Sequence, residues 1–202
     1  MTNHQNNLKN LAIHYGGILT IQQVETHGFN RQALVRASQA GWFERVQRGV
    51  YRLTDAPIQP FEAELEVQLR IPIAVIALGN ALAFHGLTTF IPKVVEISLQ
   101  HGNKAPKLEY PKVIVYYDPP VIHRHGIQTH VLHGQALQVY SPEKTLMDLL
   151  RRKQDILFAE GMKRYLLNSK PDFPALVAAA RVCKVEPQII NLLRVEGFNA
   201  DV

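Results

Sequence analysis

Between Leu8 and Leu53 the residues that start and stop helices are spaced so closely that the chain is confined to three short helices and a hairpin. Leu8, Leu11, Ala12 and Tyr15 recur at helical spacing, and Gly16-Gly17 ends that helix, because glycine adopts the left-handed backbone of a C-terminal cap without strain. Thr20-Ile21-Gln22-Gln23 has the form of a capping box, in which a hydroxyl and a side chain three residues on satisfy each other's backbone N–H groups. It predicts a second short helix from Thr20 to near Gly28. Asn30 is a strong N-cap for a third helix, Arg31 to Ala40, closed by Gly41. The β-rich runs Trp42–Val46 and Val50–Leu53, joined by Gln47-Arg48-Gly49, predict a hairpin. Helix, helix, turn, helix and hairpin is the order of a winged helix-turn-helix.

Asp55-Ala56-Pro57-Ile58-Gln59-Pro60 breaks regular structure and places a boundary after residue 56. Residues 1–56 are expected to form the winged helix-turn-helix DNA-binding domain. Residues 57–202 are expected to form a second, α+β domain whose last ~50 residues are helical. There, helices are predicted over Phe61–Arg70 and Ala77–His85, followed by strands over Val94–Leu99, Val113–Tyr117, Ile127–Val131 and Ala136–Tyr140. Ser141-Pro142-Glu143 opens a helix well, with a serine cap, proline at the first position and an acid in the first turn. That helix is expected to run to Arg152, with three more near Ile156–Leu167, Pro174–Cys183 and Pro187–Val195. The fold class is α+β, a winged helix-turn-helix followed by a mixed α/β domain with a helical C-terminus.

Charge adds direction to this frame. The net charge is +5, which favours an anionic partner. Residues 1–58 hold six Lys or Arg against three acids, and the remainder sixteen against fourteen. More than half of the surplus therefore sits in the N-terminal quarter, and five of its six cations are arginines. In the third helix Ala33, Leu34, Ala37 and Ala40 make one apolar face, while Arg31, Gln32, Val35, Arg36 and Gln39 make the opposite one. Arginine and glutamine can make bidentate contacts to guanine and adenine edges in the major groove. In the hairpin, Arg45, Gln47 and Arg52 are expected to face out, with Val46, Tyr51 and Leu53 facing in. Arg48 sits at the tip, where it can hold a phosphate or enter the minor groove. Thr20, at a helix start, is a further phosphate contact. The candidate DNA-binding set is Thr20, Arg31, Gln32, Arg36, Gln39, Arg45, Arg48 and Arg52.

Several blocks of this sequence resemble one family. Gly17-Ile18-Leu19-Thr20 through Gly28, and Trp42-Phe43-Glu44-Arg45-Val46-Gln47-Arg48-Gly49-Val50-Tyr51-Arg52-Leu53, are similar to the N-terminal domain of AbiEi-type antitoxins, the abortive-infection transcriptional regulators. Ala81-Leu82-Ala83-Phe84-His85-Gly86-Leu87-Thr88 and Ser141-Pro142-Glu143-Lys144-Thr145-Leu146-Met147-Asp148-Leu149-Leu150 resemble two later blocks of that family, so that the likeness runs in order over residues 10–152. The resemblance implies a protein that represses its own operon from double-stranded promoter DNA. It also implies a C-terminal domain opposing a co-encoded nucleotidyltransferase-like toxin, and phosphate contacts at Arg36 and Arg48.

Other readings of the residues stay open beside this one. A regulator with a protein-interaction or ligand-sensing C-terminal domain needs no toxin. A nuclease needs clustered carboxylates to hold metal ions at the scissile phosphate. Here Asp148 lies one helical turn from Lys144 and reads as its ion-pair partner, and Asp118-Pro119-Pro120 reads as a turn. No P-loop, dinucleotide fingerprint or nucleophile elbow occurs. Neither an enzyme, a cofactor nor a metal is therefore expected. Among the nine histidines, His123, His125, His130 and His133 cluster in sequence without a carboxylate or thiolate among them, and read as a polar hairpin surface. His85 is expected to cap a helix end or to be buried with one hydrogen bond. The single cysteine, Cys183, reads as a small buried hydrophobe. The polar start has no signal-peptide core and no apolar run spans a bilayer, so a cytoplasmic protein without membrane association is expected.

Overall fold

Thr20 and Asn30 cap the helices they were expected to cap, and the chain up to Leu53 folds around those two points. In a computed structural model, which describes residues 3–168 and 170–195, this part contains α1 (Asn3–His14), β1 (Ile18–Thr20), α2 (Ile21–Thr26), α3 (Arg31–Gln39), β2 (Phe43–Gln47) and β3 (Val50–Leu53). Both halves of the predicted capping box are present, the Thr20 hydroxyl taking the Gln23 N–H and the Gln23 side chain taking the Thr20 N–H. The three strands form an antiparallel sheet in the order β1-β3-β2. β1 was not expected, being a three-residue run that only pairing with Val50–Arg52 makes a strand. Leu8, Ala12, Leu19, Val24, Leu34, Ala37, Phe43, Tyr51 and Leu53 close a core between helices and sheet.

The chain divides into two compact units, Met1–Pro72 with His130–Leu137, and Ile73–Thr129 with Gln138–Val202. The boundary expected after residue 56 thus lies inside the first unit. The physical reason is ionic and local: α4 (Glu62–Arg70) brings the buried Glu66 to Arg52 of β3 at 3.2 Å. A stretch 130–137 also joins this unit although it is remote in sequence.

The second unit is built on a mixed sheet of β4 (Val75–Ile76), β5 (Val95–Gln100), β6 (Val113–Asp118), β7 (Ile127–Leu132) and β8 (Gln135–Tyr140), in the order β6-β5-β4-β8-β7. β5 runs parallel to β6 and antiparallel to β4, and β4 is parallel to β8. The end of β7, the turn after it and the start of β8, residues 130–137, belong to the first unit. The helices are α5 (Leu78–Phe84), α6 (Pro120–Arg124), α7 (Pro142–Arg151), α8 (Asp155–Asn168), α9 (Phe173–Cys183) and α10 (Glu186–Val195). Ser141 caps α7 by accepting from the Lys144 N–H, with Pro142 at the first helical position. α7 is central, packing on α5, α8 and α9. Six consecutive residues, Lys144 to Leu149, are buried on it.

His123 departs from the expected hairpin surface. Two prolines, Pro119 and Pro120, start α6 there rather than a simple turn, proline being pre-set for the first helical turn. His123 is consequently buried, with Nδ1 3.2 Å from the Ser98 hydroxyl and 3.1 Å from that of Tyr140. Burial, with the nearby Lys144 and Arg124, holds its pKa below the ordinary histidine value against the pull of Asp118.

Candidate nucleic-acid interface

α3 begins at Asn30, whose side-chain oxygen accepts from the Gln32 N–H at 2.9 Å. That bond fixes the first turn, which carries Arg31 and Gln32. Leu34 and Ala37 are the buried face, so Arg31, Gln32, Val35, Arg36 and Gln39 fall on the opposite stripe, and all five are exposed. α2 packs against this helix, and the intervening turn is tied by the Phe29 N–H to the Val24 carbonyl. Together they make a helix-turn-helix whose second helix presents a polar, cationic surface.

The hairpin supplies a wing. β2 and β3 pair with Phe43 opposite Leu53 and Arg45 opposite Tyr51, and a bulge between Arg45 and Gln47 bends the strand before the tip. Gly49 takes a positive φ of 82°, a conformation that favours glycine, and leaves Arg48 exposed at the turn. Its carbonyl accepts from the Ile21 N–H at 3.0 Å, tying the wing turn to the start of α2. Val50, Tyr51 and Leu53 are buried, Val46 and Gln47 are half-buried, and Arg45 faces solvent.

Two of the expected contacts are otherwise engaged. The Arg52 guanidinium lies 3.2 Å from Glu66 and 3.8 Å from Glu44, and Glu66 also takes Arg70 at 2.9 Å. Burial pushes the Glu66 carboxyl above the ordinary glutamate value, against the pull of the two arginines. Arg52 therefore anchors the wing to α4. The Thr20 hydroxyl is half-buried and spent on the capping box, accepting from the Gln23 N–H and donating to Gln23 Oε1 at 3.0 Å. The exposed cations of the expected set are Arg31, Arg36, Arg45 and Arg48, with Gln32 and Gln39 beside them.

Sequence reasoning missed the partners that hold this surface. Glu66 carries no local signal that it pairs with Arg52, and Gln135, which reaches Gln23, is 112 residues away from it.

The second unit contains a polar cluster of a different character. Asp118 accepts from Arg151 at 2.7 Å, from Arg152 at 2.8 Å and from the Ser98 hydroxyl at 2.9 Å. Lys144 is fully buried and bonded to Asp148, which also takes Arg151 at 2.8 Å. Tyr140 lies beneath the Lys144 ammonium, 4.1 Å from ring centroid to nitrogen. Asp118 and Asp148 are each matched by two cations. Burial works to raise the Asp118 carboxyl, but the Arg151 hydrogen bond and the two guanidinium charges outweigh it and hold it below the ordinary value. His85, half-buried at the end of α5, has its Nε2 2.7 Å from the Tyr140 carbonyl oxygen, a carbonyl of β8 and not of its own helix. Cys183 is buried, and its thiol is pushed up to about 11, mainly by burial, which removes thiolate reactivity.

Among the described residues no helix is long and apolar enough to cross a membrane, and no group of three or more His, Cys, Asp or Glu is placed to hold a metal ion.

Residues 6–54 match the family described as transcriptional regulator, AbiEi antitoxin. The expected resemblance is borne out over those residues, and they coincide with the helix-turn-helix and wing. No curated protein matches the chain. Among solved structures, the crystal structure of the RV2827C protein from Mycobacterium tuberculosis matches with a TM-score of 0.51 at 15% identity, over 100% of this chain and 84% of that one. At that identity the likeness concerns the fold.

Proposed function

We propose, from an N-terminal segment that matches the AbiEi antitoxin regulators, that this protein is a sequence-specific DNA-binding autorepressor and the antitoxin of a toxin–antitoxin pair. The observation that carries the DNA-binding part is the exposed Arg31, Gln32, Arg36 and Gln39 stripe of a capped helix, beside the wing-tip Arg48. Arg31, Gln32, Arg36 and Gln39 enter the major groove and read base edges. Arg45 and Arg48 hold the backbone. Arg52 acts at one remove, by holding the wing to α4. The promoter of its own operon is the target, and the C-terminal half opposes a co-encoded nucleotidyltransferase-like toxin.

Titration against its own upstream DNA and a shuffled duplex, at two salt concentrations, tests the first part. Binding to its own DNA tighter by about 10³-fold or more is expected, with a steep salt dependence. Equal, weak and salt-sensitive binding to both duplexes would leave only a basic protein. For the second part, expression of the neighbouring gene should arrest growth and co-expression of this chain should relieve it. Operator binding without such relief identifies a regulator that has no toxin.

A further inference from the structure

Gln135 is 4% exposed, yet both its amide nitrogen and its amide oxygen are hydrogen-bonded within the unit that carries the helix-turn-helix. Its Nε2 donates to the Tyr15 carbonyl at 2.8 Å and to the Ile18 carbonyl at 3.3 Å. Its Oε1 accepts from Gln23 Nε2 at 2.9 Å. The three partners lie just after α1, at the start of β1 and in the first turn of α2. Tyr15 and Ile18 flank the Gly16-Gly17 turn, so their carbonyls lie at the junction of a helix end and a strand start, where backbone groups lack regular partners. Gln23 uses its own Oε1 for the capping box, accepting from the Thr20 N–H and hydroxyl, and so has only its N–H groups left to give. A single buried side chain therefore clasps α1, β1 and α2 together.

The turn that delivers Gln135 is shaped for this place. His133 and Gly134 both take positive φ, 49° and 68°, the backbone of a tight two-residue hairpin turn. A Cβ at Gly16 would stand 2.9 Å from the His133 ring, and one at Gly134 would stand 3.1 Å from the Tyr15 ring. The two glycine turns thus interlock at a distance that excludes larger residues. α2 in turn packs on α3, and its first N–H is bonded to the wing turn at Gly49.

Resting on the DNA-binding reading above, we infer that Gln135 is a positioning residue for operator recognition: through Gln23 it fixes the start of α2, and hence the presentation of α3 and of the wing. The helix-turn-helix of this chain is completed by a segment more than a hundred residues downstream, and its affinity for DNA depends on that segment.

The test uses the full chain with Gln135→Ala, Gln23→Ala and the double variant. Two quantities are measured: affinity for the protein's own upstream DNA against a shuffled duplex, and amide hydrogen exchange over residues 18–26. In Gln135→Ala, operator affinity should fall about 10-fold, the loss of one or two hydrogen bonds. Binding to shuffled DNA should hold, because phosphate contacts tolerate a displaced α3. Exchange over 18–26 should quicken while β5 exchanges as before. Gln23→Ala should reproduce the effect, and the double variant should be no worse than the stronger single one. A folded Gln135→Ala protein with wild-type operator affinity, or with wild-type exchange over 18–26, overturns the proposal, even where its melting temperature falls. Should Gln135→Ala not fold, Gln135→Met, which fills nearly the same space and removes its hydrogen bonds while leaving the Gln23 capping box intact, decides by the same two readouts. Should the wild type fail to prefer its own upstream DNA, the proposed function falls, and exchange over 18–26 alone decides whether Gln135 positions α2.

Discussion

Arg36 and Arg48 carry the same charge on the same unit and are expected to fail differently. Arg36 projects from the middle of α3, the position proposed to meet base edges. Arg36→Ala should cost about 1–3 kcal/mol of operator binding and relax specificity at one base pair, as read by a panel of single-base operator variants. Arg48 stands at the wing turn, and Arg48→Ala should weaken all sequences alike and reduce the salt slope by about one. Wild-type binding by both variants would place the DNA-binding face elsewhere. In the second unit the decisive residue is Asp118, buried against two arginines. Its carboxyl is held below the ordinary aspartate value of 3.8. A lowered folded pKa means that the stability Asp118 contributes is complete above that value and is lost as pH falls through it towards the folded one. Thermal melts between pH 6 and 2.5 should therefore show an acid-induced loss that Asp118→Asn flattens. An unchanged pH profile in that variant would assign the acid sensitivity to other carboxylates.

At the scale of the element, α3 is a nine-residue helix whose first turn is held by the Asn30 cap and carries the exposed Arg31 and Gln32. Isolated helices this short are marginal in water, so the Asn30 cap and the packing of Leu34 and Ala37 carry its stability. Asn30→Ala leaves the Gln32 N–H without its partner and should destabilise the protein by about 1 kcal/mol in denaturant melts. Operator affinity should fall with it, because Arg31 and Gln32 sit on the turn that frays. Asn30→Asp, which restores an acceptor, should recover the stability. A cap loss that left stability untouched would mean that packing alone defines the helix start. The wing obeys similar logic at one remove: its tip is set by Gly49 and a bulge, while its base is set by Arg52 and Glu66 on a neighbouring helix.

At the scale of the molecule, charge placement matters more than the net value of +5. Four exposed arginines face outward from α3 and the wing, whereas Arg52 is already neutralised by Glu66. Each phosphate contact contributes about −0.9 to the slope of log K against log salt, so backbone contacts by Arg45 and Arg48 should give operator binding a slope of about −2. Arg52→Gln should lower stability while leaving that slope unchanged. A slope that fell by about one in Arg52→Gln would make Arg52 a direct DNA contact after all. The arginines of the second unit that meet Asp118 and Asp148 add nothing to such a slope, being consumed by those carboxylates.

Local chemistry was enough to read most of the elements from sequence. Thr20, Asn30 and Ser141 are caps because a short polar side chain reaches a backbone N–H two or three residues on, and Gly41 and Gly49 mark turns because they tolerate positive φ. Alternating small apolar and cationic residues likewise separated the buried from the exposed face of α3. What the sequence could not determine is set by pairs far apart along the chain. β1 is a strand only because Val50–Arg52 lies beside it, and Arg52 is an anchor only because Glu66 is brought to it. His123 is buried because two prolines begin a helix where a strand surface was expected. Gln135 looks like any polar residue at the start of a strand until the fold sets it against Tyr15, Ile18 and Gln23. Helix caps and turns are fixed over three or four residues, within reach of a single side chain. Which polar group satisfies which buried partner is decided only when distant segments are packed together and water is excluded between them.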